Sequence, residues 1–308
     1  AATPRAAPEP SSAERPQPPD PMPRLPEYPL LRLALLVLLC AAGGAPLAAQ
    51  PRMLRIACFD ADRLYDTVPA LFYDDSDFTP DGRMRWTAGR YGRKIRDAAA
   101  LLDSLASDIA AVTGVENEGV VRDLAAACHE EYCFLHRTLN RFDGLDIALL
   151  YRGDRFRPLG AREGRGWLFV VGEVFVPGAP PRRVGVLVAL DARHAAEALA
   201  DRREEHPALP LLVAGRFAPE LARRFGLHDA HARAERAGRG NVRYRSGWRM
   251  RDRILVDTLF APPRVGDVYA RRRLVSPHDG APVPTYDRTT YRGGVSRALP
   301  VYAEVELR

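Results

Sequence analysis

The feature that most constrains this chain is a series of short apolar runs, each of strand length, interleaved with segments of helical spacing. Residues 54–59, 109–115, 132–136, 147–151, 167–176, 183–190, 209–214, 254–259 and 299–307 are apolar or alternating runs too short for buried helices. They read as strands. Between them, Ile95, Ala98, Leu101, Leu102 and Leu105 recur every three or four positions, which predicts a helix over 91–105. Further helices are expected over 119–128, 194–206 and 219–237. Several neighbouring strands have no helix between them and must pair antiparallel. The pattern predicts an α/β sandwich of mixed sheets. With 46% hydrophobic residues the chain can cover such sheets. No repeat or internal linker interrupts residues 50–308, which are read as one domain.

The first 49 residues have a different character. Residues 1–21 are rich in Pro, Ala and Glu and read as disordered. Met22 is read as the true start. From there Arg24 and Arg32 precede the apolar run 33–40, and small residues follow to Ala49, the layout of a secretory signal peptide over 22–49. The run is too short to span a bilayer, which takes about 20 residues. Leu39 stands where a lipoprotein signal needs a small residue before Cys40. The expectation is therefore an exported, periplasmic or secreted protein with no transmembrane segment after cleavage. Export permits disulfides. Cys58, Cys128 and Cys133 remain, and both a Cys128–Cys133 pair and free thiols are consistent with their spacing.

The chain carries a net charge of +6, and Lys94 is its single lysine. Arginines cluster at 202–203, 223–224, 233–243 and 271–273, with few aromatics among them (Tyr244, Trp248, Tyr269). Stacking on single-stranded nucleic acid is weakly supported by that pattern. His194, His206, His228 and His231 have charged neighbours and read as solvated. No GxSxG, Walker loop, HExxH or CxxC is present.

Several stretches together resemble the endonuclease/exonuclease/phosphatase family, the deoxyribonuclease I-like fold. Phe59-Asp60-Ala61-Asp62-Arg63-Leu64-Tyr65-Asp66 resembles W-N-x-E-N-L-F-D, and Asp75-Ser76-Asp77-Phe78-Thr79-Pro80 resembles D-x-x-F-T-P. Thr113-Gly114-Val115-Glu116-Asn117 stands at Q-E-V-E-N, and Asp143–Tyr151 at R-G-I-D-V-A-L-L-Y. Trp248 with Asp252-Arg253-Ile254-Leu255-Val256 resembles W…D-x-I-x-V. Tyr291-Arg292-Gly293-Gly294-Val295-Ser296 then leads into Leu299-Pro300-Val301-Tyr302. The resemblance implies a four-layer α/β/β/α sandwich of two mixed, mostly antiparallel sheets.

It also implies phosphoester hydrolysis with divalent metal, normally Mg²⁺, held by carboxylates and assisted by a His–Asp pair. Here the metal-binding Glu falls on Gly114, the catalytic His on Ala189, and the Arg of R-G-I-D on Asp143. G-D-F-N becomes Gly215-Arg216-Phe217-Ala218, and S-D-H becomes Ser296-Arg297-Ala298. Asp252 alone of the core polar set is kept, as a vestigial catalytic residue. The pocket is expected to contain Asp60, Glu116, Asn117, Asp146, Arg216 and Arg297. The expectation is a pseudoenzyme with no metal and no cofactor, a monomer that binds a phosphate-containing or other anionic ligand or partner. Two alternatives stand beside it: a Mg-dependent phosphodiesterase or nuclease with a residual or rebuilt site, and a structural envelope protein.

Overall fold

The computed structural model describes residues 53–306. The expected leader, residues 22–49, and the segment 1–21 before it lie outside them.

The first sheet takes β13 (Val265–Val268), β16 (Val301–Glu306), β1 (Met53–Leu64), β2 (Ile109–Val115), β4 (Asp146–Arg152) and β3 (Tyr132–Arg137), in that spatial order. The second runs β5 (Phe156–Gly164), β6 (Trp167–Val174), β7 (Arg182–Ala189), β8 (Leu211–Arg216), β12 (Asp252–Asp257) and β9 (Leu227–Asp229). Two short hairpins, β10 (Val242–Tyr244) with β11 (Gly247–Arg249) and β14 (Tyr286–Asp287) with β15 (Thr290–Tyr291), stand outside these sheets. Two pairs are parallel, β1 with β2 and β7 with β8; the rest are antiparallel. Each parallel pair needs a crossover. The helix α1 (Ala88–Leu105) supplies the first and α3 (Ala192–Glu205) the second.

Three apolar layers follow from strand alternation. Ile56, Ile109, Leu149, Val170, Val186, Leu212, Ile254 and Ala303 pack between the sheets. Phe59, Val112 and Leu150 point outward against Leu101 and Leu102 of α1 and Val121 of α2 (Glu118–Ala127). Leu187 and Val213 face Ala195 and Leu199 of α3. The result is the expected α/β/β/α sandwich.

The helices start where side chains satisfy their free N–H groups. Thr87 accepts from Arg90 N, Asn117 from Val120 N, and Asp191 from Arg193 N and His194 N. Residues 219–237, expected as one helix, divide into α4 (Glu220–Phe225), β9 and α5 (Ala232–Arg236). Gly226 in the left-handed region ends α4. Cys58, Cys128 and Cys133 are all free thiols. No described helix is long and apolar enough to cross a membrane.

Candidate functional site

Strands β1, β2, β7 and β8 bring Asp60, Gly114, Ala189 and Arg216 to one end of the sandwich, where β12 begins at Asp252. The cleft between them measures about 120 Å³. Arg216 and Asp252 are directly opposed on β8 and β12. The Arg216 guanidinium lies between two carboxylates: Nη2 donates to Asp60 Oδ2 at 2.8 Å and Nε to Asp252 Oδ1 at 3.2 Å. Asn241 completes the set, donating through Nδ2 to Asp252 Oδ2 at 2.5 Å and accepting from Arg251 N at 2.8 Å.

The charges in this cleft are mutually matched. Burial opposes the Arg216 charge, but Asp252 and Asp60 outweigh it and hold its pKa above the usual value. Burial and the facing Asp252 raise the Asp60 pKa, with Arg216 pulling the other way. The Cys58 thiol, at the floor, is pushed well up by burial and then by Asp252 and Asp60, so it stays protonated and is no nucleophile. Asp143 is held bidentately by Arg141, at 2.9 Å for both bonds.

A wider compartment of about 420 Å³ opens outward from Asp60 and Arg216. Four arginines (Arg63, Arg216, Arg251 and Arg297) line it against Asp60 and Asp62. Arg297 places Nε 3.3 Å from Asp62 Oδ1 and donates through Nη2 to the Tyr286 carbonyl. Among the described residues, Arg63 and Arg251 have no carboxylate partner. Arg63 lies over the Phe78 ring, and Arg251 donates to Tyr244 Oη at 3.3 Å. Asp62 and Arg63 both have positive φ, where β1 bulges out of register with β2. The Asp62 carbonyl accepts from Lys94 Nζ at 2.7 Å, and burial lowers the pKa of that lysine to about 8.

Asp60, Arg216 and Asp252 thus come together, with Arg297 at the outer rim. Glu116, Asn117 and Asp146 do not join them. A bulge at Gly114, with φ at +74°, breaks the alternation of β2. Glu116 emerges beside Asp66 N (2.6 Å) and Tyr73 Oη (2.9 Å), and burial raises its pKa to about 7. Asn117 caps α2, and Asp146 bonds His136 Nε2 (3.1 Å) and Leu139 N (2.8 Å). These three line a separate cleft. Sequence alone gives no signal for Asn241, Arg63 and Arg251: Asn241 and Arg251 sit in an arginine-rich stretch that looks like ordinary solvated surface, and Arg63 is a lone arginine in an acidic one. The expectation that the histidines are solvated fails for His231, which is fully buried and held neutral by that burial, its pKa near 4.

Residues 55–166 match the Endonuclease/Exonuclease/phosphatase family. Over these residues the chain is similar to that family. Its fold matches a solved endonuclease/exonuclease/phosphatase family protein from Bacteroides thetaiotaomicron, at 14% identity over 84% of this chain and 99% of that one (TM-score 0.56). A mannosyl-6-phosphatase from the same organism matches at 14% identity over 82% and 99% (TM-score 0.52). Truncated TDP2 from Caenorhabditis elegans matches at 12% over 82% and 98% (TM-score 0.52). No curated protein matches the sequence.

A hard divalent cation needs free oxygen ligands. The residues present do not fit one. Gly114 offers no side chain, and Asp60 and Asp252 are bridged by a fixed guanidinium. Among the described residues, no three His, Cys, Asp or Glu side chains converge to hold a metal. The Arg216 charge alone contributes a repulsion of roughly 8 kcal/mol to a dication about 4 Å away at an effective dielectric of about 20, enough to cancel the pull of one of the two carboxylates. No histidine lines either compartment, and Ala189 has no proton to give.

Proposed function

We propose that this chain is a non-hydrolytic member of the endonuclease/exonuclease/phosphatase family that binds a phosphate-bearing anion in the outer compartment. One observation carries the reading: Arg216 is hydrogen-bonded to both Asp60 and Asp252, the carboxylates that a metal would need. Arg216 and Arg297 are engaged with carboxylates, Asp60 and Asp252 for the first and Asp62 for the second. In this compartment the guanidinium groups without a carboxylate partner among the described residues are Arg63 and Arg251, whose fork geometry suits phosphate oxygens. Export forms part of the proposal and is supported by the leader-like layout of residues 22–49; N-terminal sequencing of the released protein tests it.

Calorimetry of the intact chain with orthophosphate and with bis-p-nitrophenyl phosphate tests the binding. Saturable binding is expected, weakened about tenfold or more in the Arg63→Asn, Arg251→Gln double variant, with no nitrophenol released. Asn tolerates the left-handed backbone at position 63. Unchanged binding in the double variant, or steady turnover, would refute the proposal.

A further inference from the structure

The outer compartment continues past Arg251. A neighbouring one, of about 530 Å³, shares Arg216, Tyr244 and Arg251 with it and reaches on to Arg249. The shared wall is the hairpin of β10 and β11 with the residues that follow it. From Arg236 to Arg251 the chain carries six arginines and no acidic residue, so any counter-charge must come from another segment. Arg239 finds one in Asp267. Arg249 and Arg251 have no carboxylate partner among the described residues.

The carboxylates of the second compartment are engaged elsewhere. Glu235 accepts from Arg253 Nη2 at 2.7 Å. Asp191 accepts from the N–H groups of Arg193 and His194 at the start of α3 and lies 2.9 Å from His194 Nδ1. Arg253 is matched by Asp229 as well as by Glu235. Six arginines line the two compartments together, the four of the outer one with Arg249 and Arg253. Four carboxylates face them: Asp60, Asp62, Asp191 and Glu235. Three guanidinium groups, Arg63, Arg251 and Arg249, are left without a carboxylate, and Arg251 is common to both compartments.

The row is built into the fold. Burial alternates along it, with Arg249 exposed, Met250 buried and Arg251 exposed. Both guanidinium groups therefore leave the chain on the same side, from roots roughly 6–7 Å apart. Fully buried Asn241 holds both backbones: its N–H donates to the Arg249 carbonyl at 3.0 Å, and its Oδ1 accepts from Arg251 N at 2.8 Å. A Cβ at Gly240 would fall 2.5 Å from Arg249 N, so glycine is what lets the two segments approach this closely. An arrangement set before binding lowers the ordering cost of taking a ligand.

A phosphate monoester carries a charge of about −1.5 to −2 at pH 7, which two guanidinium forks match. Arg63 lines only the outer compartment and Arg249 only its neighbour, so a single phosphate leaves one of them unused. A second phosphate tethered to the first uses it, at the raised effective concentration that the tether gives.

We propose that the anion this chain takes carries two phosphate groups on one short organic spacer, the first held by Arg63 and Arg251 and the second by Arg249. The proposal rests on the reading that the outer compartment binds phosphate.

The test is calorimetry of the intact chain with butyl phosphate and with 1,4-butanediol bisphosphate, the same spacer carrying one phosphate or two. Salt at about 150 mM screens long-range attraction. The bisphosphate should bind at least about tenfold more tightly. Arg249→Gln should bring it down to the affinity of butyl phosphate. Arg245→Gln removes the same charge from the same hairpin, outside both linings, and should change neither affinity. Equal affinity of the two probes would overturn the proposal. So would equal losses in the Arg249→Gln and Arg245→Gln variants, the result of diffuse charge alone. If butyl phosphate binds through Arg63 and Arg251 and the second phosphate adds nothing, the two-phosphate proposal fails alone. If neither probe responds to the Arg63→Asn, Arg251→Gln double variant, the underlying reading fails with it.

Discussion

Arg216→Ala is the perturbation that bears most directly on the cleft. The substitution leaves Asp60 and Asp252 facing each other with no counter-charge. Breaking a fully buried pair costs about 3–5 kcal/mol, and an exposed pair contributes about 0.2–1 kcal/mol. The case here is intermediate. The Asp252 side chain is 7% exposed and that of Asp60 23%, but the Arg216 side chain is 41% exposed and partly screened. A loss of about 2–3 kcal/mol at pH 7 is expected, or a melting temperature lower by about 4–12 °C for a domain of this size. The sign with pH is fixed. Removing Arg216 takes away the group that lowers the Asp60 pKa. The folded variant then holds its proton to higher pH than the folded parent. The deficit must therefore grow as pH rises through the Asp60 pKa and shrink below it. Urea denaturation followed by circular dichroism at pH 4.5 and pH 7 measures both values. A loss under about 0.5 kcal/mol at pH 7, the level of ordinary surface changes, or an equal loss at both pH values, would refute the reasoning.

Three further outcomes follow from the same geometry. In Arg216→Asp a third carboxylate replaces the guanidinium, so Mn²⁺ should raise the melting temperature of this variant in a concentration-dependent way and leave the parent unmoved. Gly114→Glu should not rebuild the family's site: at φ +74° its Cβ would sit 3.0 Å from Asp60 Oδ1, and thermal denaturation should show a destabilisation of about 1–3 kcal/mol. The single lysine gives one resonance in a lysine-¹³Cε-labelled sample; it should titrate near pH 8, well below the ordinary value of 10.5, and titration near that ordinary value would contradict its burial. Because the folded pKa is depressed, stability should fall as pH drops from 10.5 toward 8.

Much of the fold was legible because both sheets are buried on both faces, so their central strands are continuous apolar runs such as 109–115 and 211–214. The strand β5 leaves no such apolar run. It is an edge strand whose Arg157, Arg162 and Glu163 face solvent, and Pro158 and Gly160 interrupt it. The short strand β9 was absorbed into an expected helix, since Leu227, His228 and Asp229 are too few to show a period. At the site, the change from Asp to Arg at 216 could be read from the family's spacing, and its partners Asp60 and Asp252 with it. Glu116 and Asn117 could not be placed, because a one-residue bulge at Gly114 decides which way they face; Asp146 is held away by partners on a neighbouring strand and loop, His136 and Leu139 N. Nothing in the local pattern distinguishes Arg63 and Arg251 from paired surface arginines; only the ion-pair arrangement does.

The central claim is that a tethered guanidinium now stands where the family places a metal, and calorimetric titration of Mn²⁺ and Mg²⁺ into the intact protein tests it most directly. No binding at the cleft is expected, and no phosphodiester turnover with either ion present. Stoichiometric uptake of either ion, with hydrolysis that Asp252→Ala abolishes, would contradict it.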